Sequence, residues 1–201
     1  MKHMKCSVLL RKVLSMVTKL KNSIFYHIPK TGGSWINEGI RVAFKEKEFV
    51  GPAGLAHASP EQYKPQAFFS WTVIRHPIAW LKSNFSYRTL QNDWGIFGDY
   101  AHNDFNEFAR RLYEYNPRFV TKFFEPFLTV RYIALNETMQ QDLENIFYTC
   151  KEELDMDAFF NRERVNTSLS DQVAMSEETK ELILDQERWL LENYYEEKYE
   201  I

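Results

Sequence analysis

The chain has 201 residues, a formal net charge of −3, and 26% charged and 16% aromatic residues. That length fits one domain with a sizeable core, the aromatic content argues against disorder, and the balance of charge argues against a nucleic-acid binder. Cys6 and Cys150 are the only cysteines; they make neither a disulfide framework nor a metal-ligand cluster, which points to a reducing, cytoplasmic setting and to no metal.

Residues 1–21 form a basic stretch: Lys2, Lys5, Arg11, Lys12, Lys19 and Lys21 precede the first acidic residue, Glu38. Val8, Leu9, Leu10, Val13, Leu14, Val17 and Leu20 interleave with them at helical spacing. Arg11 and Lys12 interrupt the apolar run, so it is too short and too charged to span a bilayer and makes a poor secretory signal. The stretch reads as an amphipathic extension, either packed on the body of the protein or drawn to an anionic membrane surface. Residues 22–201 read as a single domain, without repeats, low-complexity tracts or a linker.

Within that domain, 22–28 is strand-like and 34–44 helical, and Phe49-Val50 marks a short strand before Gly51-Pro52. Ser59-Pro60-Glu61-Gln62 has the order of a capping box and predicts the start of a short helix. A strand over 68–74 and a helix over 77–90 follow, then a loop from Asp93 to His102. Asn103 or Asp104 caps a helix that reaches Tyr115 and stops at Asn116-Pro117. Residues 129–134 are strand-like, Asn136 caps a helix from Glu137 to Cys150, and Ser176 caps a last helix with an apolar stripe of Leu182, Ile183, Trp189, Leu190 and Tyr194. Strands alternating with helices predict an α/β fold with a mainly parallel central sheet flanked by helices.

Chemistry concentrates in Pro29-Lys30-Thr31-Gly32-Gly33-Ser34-Trp35, between the first strand and the first helix. Gly32 and Gly33 let backbone N–H groups converge, and the helix start adds its unpaired donors and the positive end of its dipole. Lys30 supplies a full positive charge; Thr31 and Ser34 supply hydroxyls. A phosphate-like or sulfate-like group is the expected ligand. The loop is not a Walker A motif, because Lys30 precedes both glycines.

The order Pro-Lys-Thr-Gly-Gly-Ser resembles the 5′-phosphosulfate loop of sulfotransferases, which use 3′-phosphoadenosine 5′-phosphosulfate (PAPS) as donor. A second match is similar to the same family: the strand over 68–74 runs into Arg75-His76-Pro77, and Ser83 stands eight residues after Arg75. In the family such an arginine and serine hold the 3′-phosphate. Two positions depart from the common pattern. Trp80 stands where many relatives carry an arginine, which puts local packing in doubt, and the loop ends Gly33-Ser34 where a threonine is more usual. The resemblance, closest in style to the carbohydrate-type enzymes, implies a P-loop-like sulfotransferase fold. It further implies that Arg162, Arg164 and Ser168, in a late polar loop, complete the 3′-phosphate cradle.

Sulfuryl transfer to an acceptor hydroxyl needs a base, and histidine suits the task near neutral pH. His57, between the two motifs and just before Ser59, is the candidate, and the family resemblance favours a histidine in this interval; His27, His76, His102 and Glu38 are its rivals. Lys30 stabilises charge on the bridging oxygen as the sulfur–oxygen bond breaks. The implied products are 3′-phosphoadenosine 5′-phosphate and a sulfated small-molecule or carbohydrate acceptor. Two alternatives stand beside this expectation: an ATP-dependent small-molecule kinase with a divergent anion loop, and a non-catalytic nucleotide-binding or membrane-surface protein.

Overall fold

The computed structural model describes residues 17–50, 58–63, 69–163 and 169–195. They fall into two compact units, one within Met1–Ile74 and Pro126–Asn166, the other within Arg75–Glu125 and Thr167–Ile201.

The first unit carries a five-stranded sheet. Its strands are β1 (Val17–Leu20), β2 (Ser23–Tyr26), β3 (Lys47–Val50), β4 (Phe69–Ile74) and β5 (Tyr132–Leu135), in the order β3-β1-β2-β4-β5. β2, β4 and β5 run parallel, with Phe25 opposite Trp71 and Val73 opposite Ala134. β1 is antiparallel to both β2 and β3. The sheet is therefore mixed, and the expected parallel arrangement holds for three strands. Val17 and Leu20, which their spacing placed on a helix, lie buried in β1 instead. A two-residue connection, Lys21-Asn22, folds β1 back onto β2, and pairing with two neighbours outweighs the helical period.

Side chains alternate across a strand, so Phe25, Trp71, Val73 and Ala134 share one face. On it pack three helices of the same unit: α1 (Gly33–Ala43) through Ile36 and Ile40, and, later in the chain, Met139–Cys150 through Leu143, Ile146 and Phe147 and Met156–Phe160 through Phe159. Gly39 permits the approach of α1, since a Cβ there would lie 2.6 Å from the Phe159 ring. Two sets of polar groups within this core are paired. The Thr18 hydroxyl donates to Asn37 Oδ1 at 2.8 Å, fastening β1 to α1. At the β1–β2 turn, buried Glu152 accepts from the Asn22 N–H at 3.0 Å and the Ser23 hydroxyl at 2.8 Å, and burial raises its pKa even so.

The second unit is helical: α2 (Pro77–Gln91), a 3-10 helix (Gly95–Tyr100), α3 (Phe105–Tyr115), α4 (Phe119–Phe124), a 3-10 helix (Leu169–Gln172), and two helices at the end of the described chain. Trp80 lies at its centre, 1% exposed, with ring centroids of Phe97, Phe119, Phe123 and Phe124 between 5.0 and 6.5 Å away. The departure at position 80 is thus an aromatic core residue. Asp104 caps α3 by accepting from the Glu107 N–H at 2.9 Å. In the first unit the two helices after β5 are α5 (Met139–Cys150) and α6 (Met156–Phe160); in the second the last two are α7 (Glu177–Gln186), capped by Ser176, and α8 (Arg188–Tyr194).

The single last helix expected from the apolar stripe is broken at Glu187. Glu187 is fully buried. Its carboxylate accepts from the Val120 N–H at 2.9 Å, the Thr121 N–H at 2.8 Å and the Thr121 hydroxyl at 2.6 Å, so a residue between α7 and α8 caps the start of α4. Charged hydrogen bonds of this kind are strong, and their loss strands buried donors. Glu187→Ala is expected to lower unfolding free energy by about 2–4 kcal/mol in urea titration; a change under about 0.5 kcal/mol, the usual size for a surface site, would contradict this role.

Candidate functional site

β2 ends at Tyr26 and α1 begins at Gly33, so the Lys30 motif forms the strand–loop–helix turn that the sequence predicts. The chain reverses through two left-handed residues, Lys30 at φ 66° and Gly32 at φ 91°. Glycine adopts that region freely; a lysine there is uncommon and strained. Gly32 is the N-cap residue of α1, and its side-chain-free position leaves the helix with no side-chain cap. Its carbonyl accepts from the Trp35 and Ile36 N–H groups at 3.0 and 3.2 Å. The N–H groups of Gly33 and Ser34 meet no backbone acceptor among the described residues. Together with the dipole of an 11-residue helix, they offer donors to an anion.

Two motif residues have different tasks from those expected. The Thr31 side chain is fully buried, and its hydroxyl donates to the Ile28 carbonyl at 2.8 Å, so it braces the loop rather than facing an anion. The Trp35 indole packs edge-on against Phe159 and beneath the Arg162 guanidinium, 4.7 Å from the ring centroid. Arg162, expected in the late polar loop, makes contacts of its own. Its Nε donates to the Phe159 carbonyl at 2.8 Å and its Nη2 to the Trp35 carbonyl at 2.9 Å, so it ties α6 to the first turn of α1. Burial lowers its pKa. Two of its nitrogens and its face are thus held within the first unit, while Nη1 is buried without a partner among the described residues. Arg164 and Ser168 lie outside the described residues, as does His57.

The segment after His57 is described. Ala58 is buried, and the Ser59 N–H donates to Gln62 Oε1 at 2.9 Å, the reciprocal half of the predicted capping box. The segment makes a turn over 60–62 and goes no further as a helix within the described residues. The Tyr26 hydroxyl donates to the Tyr63 carbonyl at 2.6 Å, and burial raises its pKa to about 12. Among the rival bases, Glu38 pairs with Arg41 at 2.7 Å, and His102 Nδ1 accepts from the Asp104 N–H at 3.0 Å at the foot of α3.

His27 is buried at the end of β2, and its ring occupies the space that a side chain at Gly33 would need. A Cβ on residue 33 would stand 2.6 Å from His27 Cγ and closer to two other ring atoms. Glycine at 33 is thus a packing requirement set by residue 27.

Sequence reasoning missed Asn136, read there as a helix cap. The N-cap residue of α5 is Thr138, and Asp142 holds that turn by accepting from the Leu135 N–H at 2.9 Å and the Thr138 hydroxyl at 2.7 Å. Asn136 Nδ2 donates to the Thr31 carbonyl at 3.0 Å, and the Asn136 N–H to the Ile74 carbonyl at 2.8 Å. The available signal was its place directly after a parallel strand, where α/β sheets gather functional residues.

In the second unit, Arg75 and His76, the two residues that precede α2, are half-buried, and Ser83 is buried on α2. His76 packs edge-on against Tyr195, with centroids 5.4 Å apart. Burial lowers its pKa.

Comparisons of the chain with protein-family models, with curated proteins and with solved structures found no match. Among the described residues no helix is long and apolar enough to cross a membrane, and no group of three or more metal-ligating side chains occurs.

Two outcomes follow from His27 and His76. Gly33→Ala is expected to cost about 1–3 kcal/mol of stability by overpacking, and less when combined with His27→Ala, which clears the space. Additive losses in the double-mutant cycle would show that the ring is not the obstacle. A histidine with a lowered native pKa takes up its proton more readily in the unfolded chain. Stability should therefore fall as pH drops below the ordinary histidine pKa toward the lowered one. His76→Gln should flatten that fall in denaturant titrations across the range; an unchanged slope would assign the dependence to other groups.

Proposed function

We propose that the chain transfers a sulfuryl group from PAPS to a hydroxyl or amine of a small-molecule or carbohydrate acceptor. The observation that carries this reading is the turn from β2 into α1, where left-handed Lys30 and Gly32 lead into a helix start without a side-chain cap. A tetrahedral oxyanion suits such a turn, because preformed backbone donors bind it without reorganisation. The PAPS assignment itself rests on the order Pro-Lys-Thr-Gly-Gly-Ser and on the Arg75–Ser83 spacing.

In this reading the backbone from Lys30 to Ser34 holds the 5′-phosphosulfate. Lys30 stabilises the bridging oxygen as the sulfur–oxygen bond breaks, Arg75 and Ser83 bind the 3′-phosphate, and His57 takes the proton of the acceptor. The sulfuryl group passes to the acceptor oxygen or nitrogen, and 3′-phosphoadenosine 5′-phosphate leaves. Thr31 supports the loop through its bond to Ile28, and Arg162 supports the helix start through its bond to Trp35.

An acceptor screen with labelled PAPS tests the activity. Lys30→Ala should cut turnover by about 10²–10³-fold, the range for loss of one charge-stabilising donor. Arg75→Ala should weaken binding of 3′-phosphoadenosine 5′-phosphate while sparing adenosine 5′-phosphosulfate, which lacks the 3′-phosphate. Equal binding of both nucleotides by the unaltered protein would remove Arg75 and Ser83 from the scheme. Absence of any 3′-phosphoadenosine 5′-phosphate binding would end the reading.

A further inference from the structure

We infer that Asn136 is a positioning residue for the anion loop, a role that rests on the function proposed above and that the sequence motifs do not contain. Three observations converge on it. Asn136 Nδ2 donates to the Thr31 carbonyl at 3.0 Å. The same residue's N–H is anchored on the Ile74 carbonyl at 2.8 Å, at the end of β4. Its side chain also stands where a Cβ on Gly32 would come, 2.9 Å away, with Met139 Sδ at 3.3 Å beside it. Asn136 thus bonds to the loop through the Thr31 carbonyl oxygen and stands in the space that a side chain at Gly32 would need.

The consequence follows from peptide geometry. The bond between Thr31 and Gly32 is trans, so the Thr31 C=O and the Gly32 N–H point in opposite directions. An amide that holds the carbonyl toward α5 therefore turns the Gly32 N–H away from α5. That N–H heads the run of donors that continues through Gly33 and Ser34. The Thr31 hydroxyl holds the same residue on Ile28 from its side chain. A flip of the Thr31–Gly32 peptide, which would turn its carbonyl oxygen toward an incoming anion and repel it, would have to break the Asn136 bond.

Asn136 does not contact the anion in this scheme, and its effect should be confined to the part of the ligand that the loop holds. Asn136→Asp keeps the size of the side chain but sets a carboxylate oxygen against the Thr31 carbonyl. Asn136→Ala removes the donor without adding repulsion, and decides the matter if the Asp variant does not fold. The measurement is calorimetric titration of each variant and the unaltered chain with 3′-phosphoadenosine 5′-phosphate and, separately, with adenosine 3′-phosphate, which lacks the 5′-phosphate. The expected result is a loss of about tenfold or more in affinity for the first ligand and less than about twofold for the second, the size of one hydrogen-bond-dependent alignment. Equal losses for both ligands would mark Asn136 as a general structural residue, and no loss for either would show that the Thr31 peptide needs no tether; each overturns the inference while leaving the proposed function standing. If the unaltered chain binds neither nucleotide, the proposed function fails and the inference falls with it.

Discussion

No side chain larger than hydrogen fits at position 33, because the imidazole of His27 already fills the space. The chain must pass from the end of β2 to the first turn of α1 within six residues, and it does so by laying the helix start directly on the last side chain of the strand end. Every other feature of the loop follows from that closeness. Lys30 and Gly32 take left-handed conformations to complete the reversal. Thr31 turns inward, where its hydroxyl finds Ile28. Gly32 and Ser34 stay half-exposed at the helix start, whose first backbone N–H groups are donors. The cluster of backbone donors at this turn is therefore a by-product of packing a helix as close to a strand as the atoms allow.

Much of this was legible because it is local. The aromatic and β-branched run before Arg75, the proline at the first position of α2, the glycine pair, and the caps Asp104 and Ser176 all act within a few residues of themselves, and the structure has them where the sequence puts them. The misread elements share the opposite property. β1 is a strand because Asn22, in the turn after it, gives its N–H to Glu152, a partner 130 residues away, while β2 and β3 pair along both its edges. Helical spacing in residues 1–21 carries no trace of those partners. Arg162 sits in a polar stretch expected to help cradle a 3′-phosphate, and its contacts include the carbonyls of Phe159 and Trp35 and the face of an indole, none of which its local sequence announces. Trp80, an apparent departure from a motif, is read correctly only when Phe97, Phe119, Phe123 and Phe124 are around it. Asn136 was misassigned because an asparagine before a helix is ordinarily a cap, whereas here Thr138 stands at the N-cap and the Asn136 amide reaches Thr31.

Buried carboxylates recur at these non-local points. Glu152 closes the β1–β2 turn, Glu187 caps α4, and Asp142 holds the turn that leads into α5. Each accepts backbone N–H groups that would otherwise be stranded, and a buried donor without a partner is worse for stability than a missing bond at the surface. Asp142 has the further effect. By fixing Leu135 and Thr138 it fixes the residue between them that reaches Thr31, and Thr31 in turn reaches Ile28. The relay from Asp142 through Asn136 to Ile28 has separations of 2.7–3.0 Å throughout and lies within one compact unit. An anion bound at the start of α1 would meet none of these side chains. It would meet peptide dipoles whose directions the relay has already set, and preorganised dipoles stabilise charge because none of them has to turn when the charge arrives.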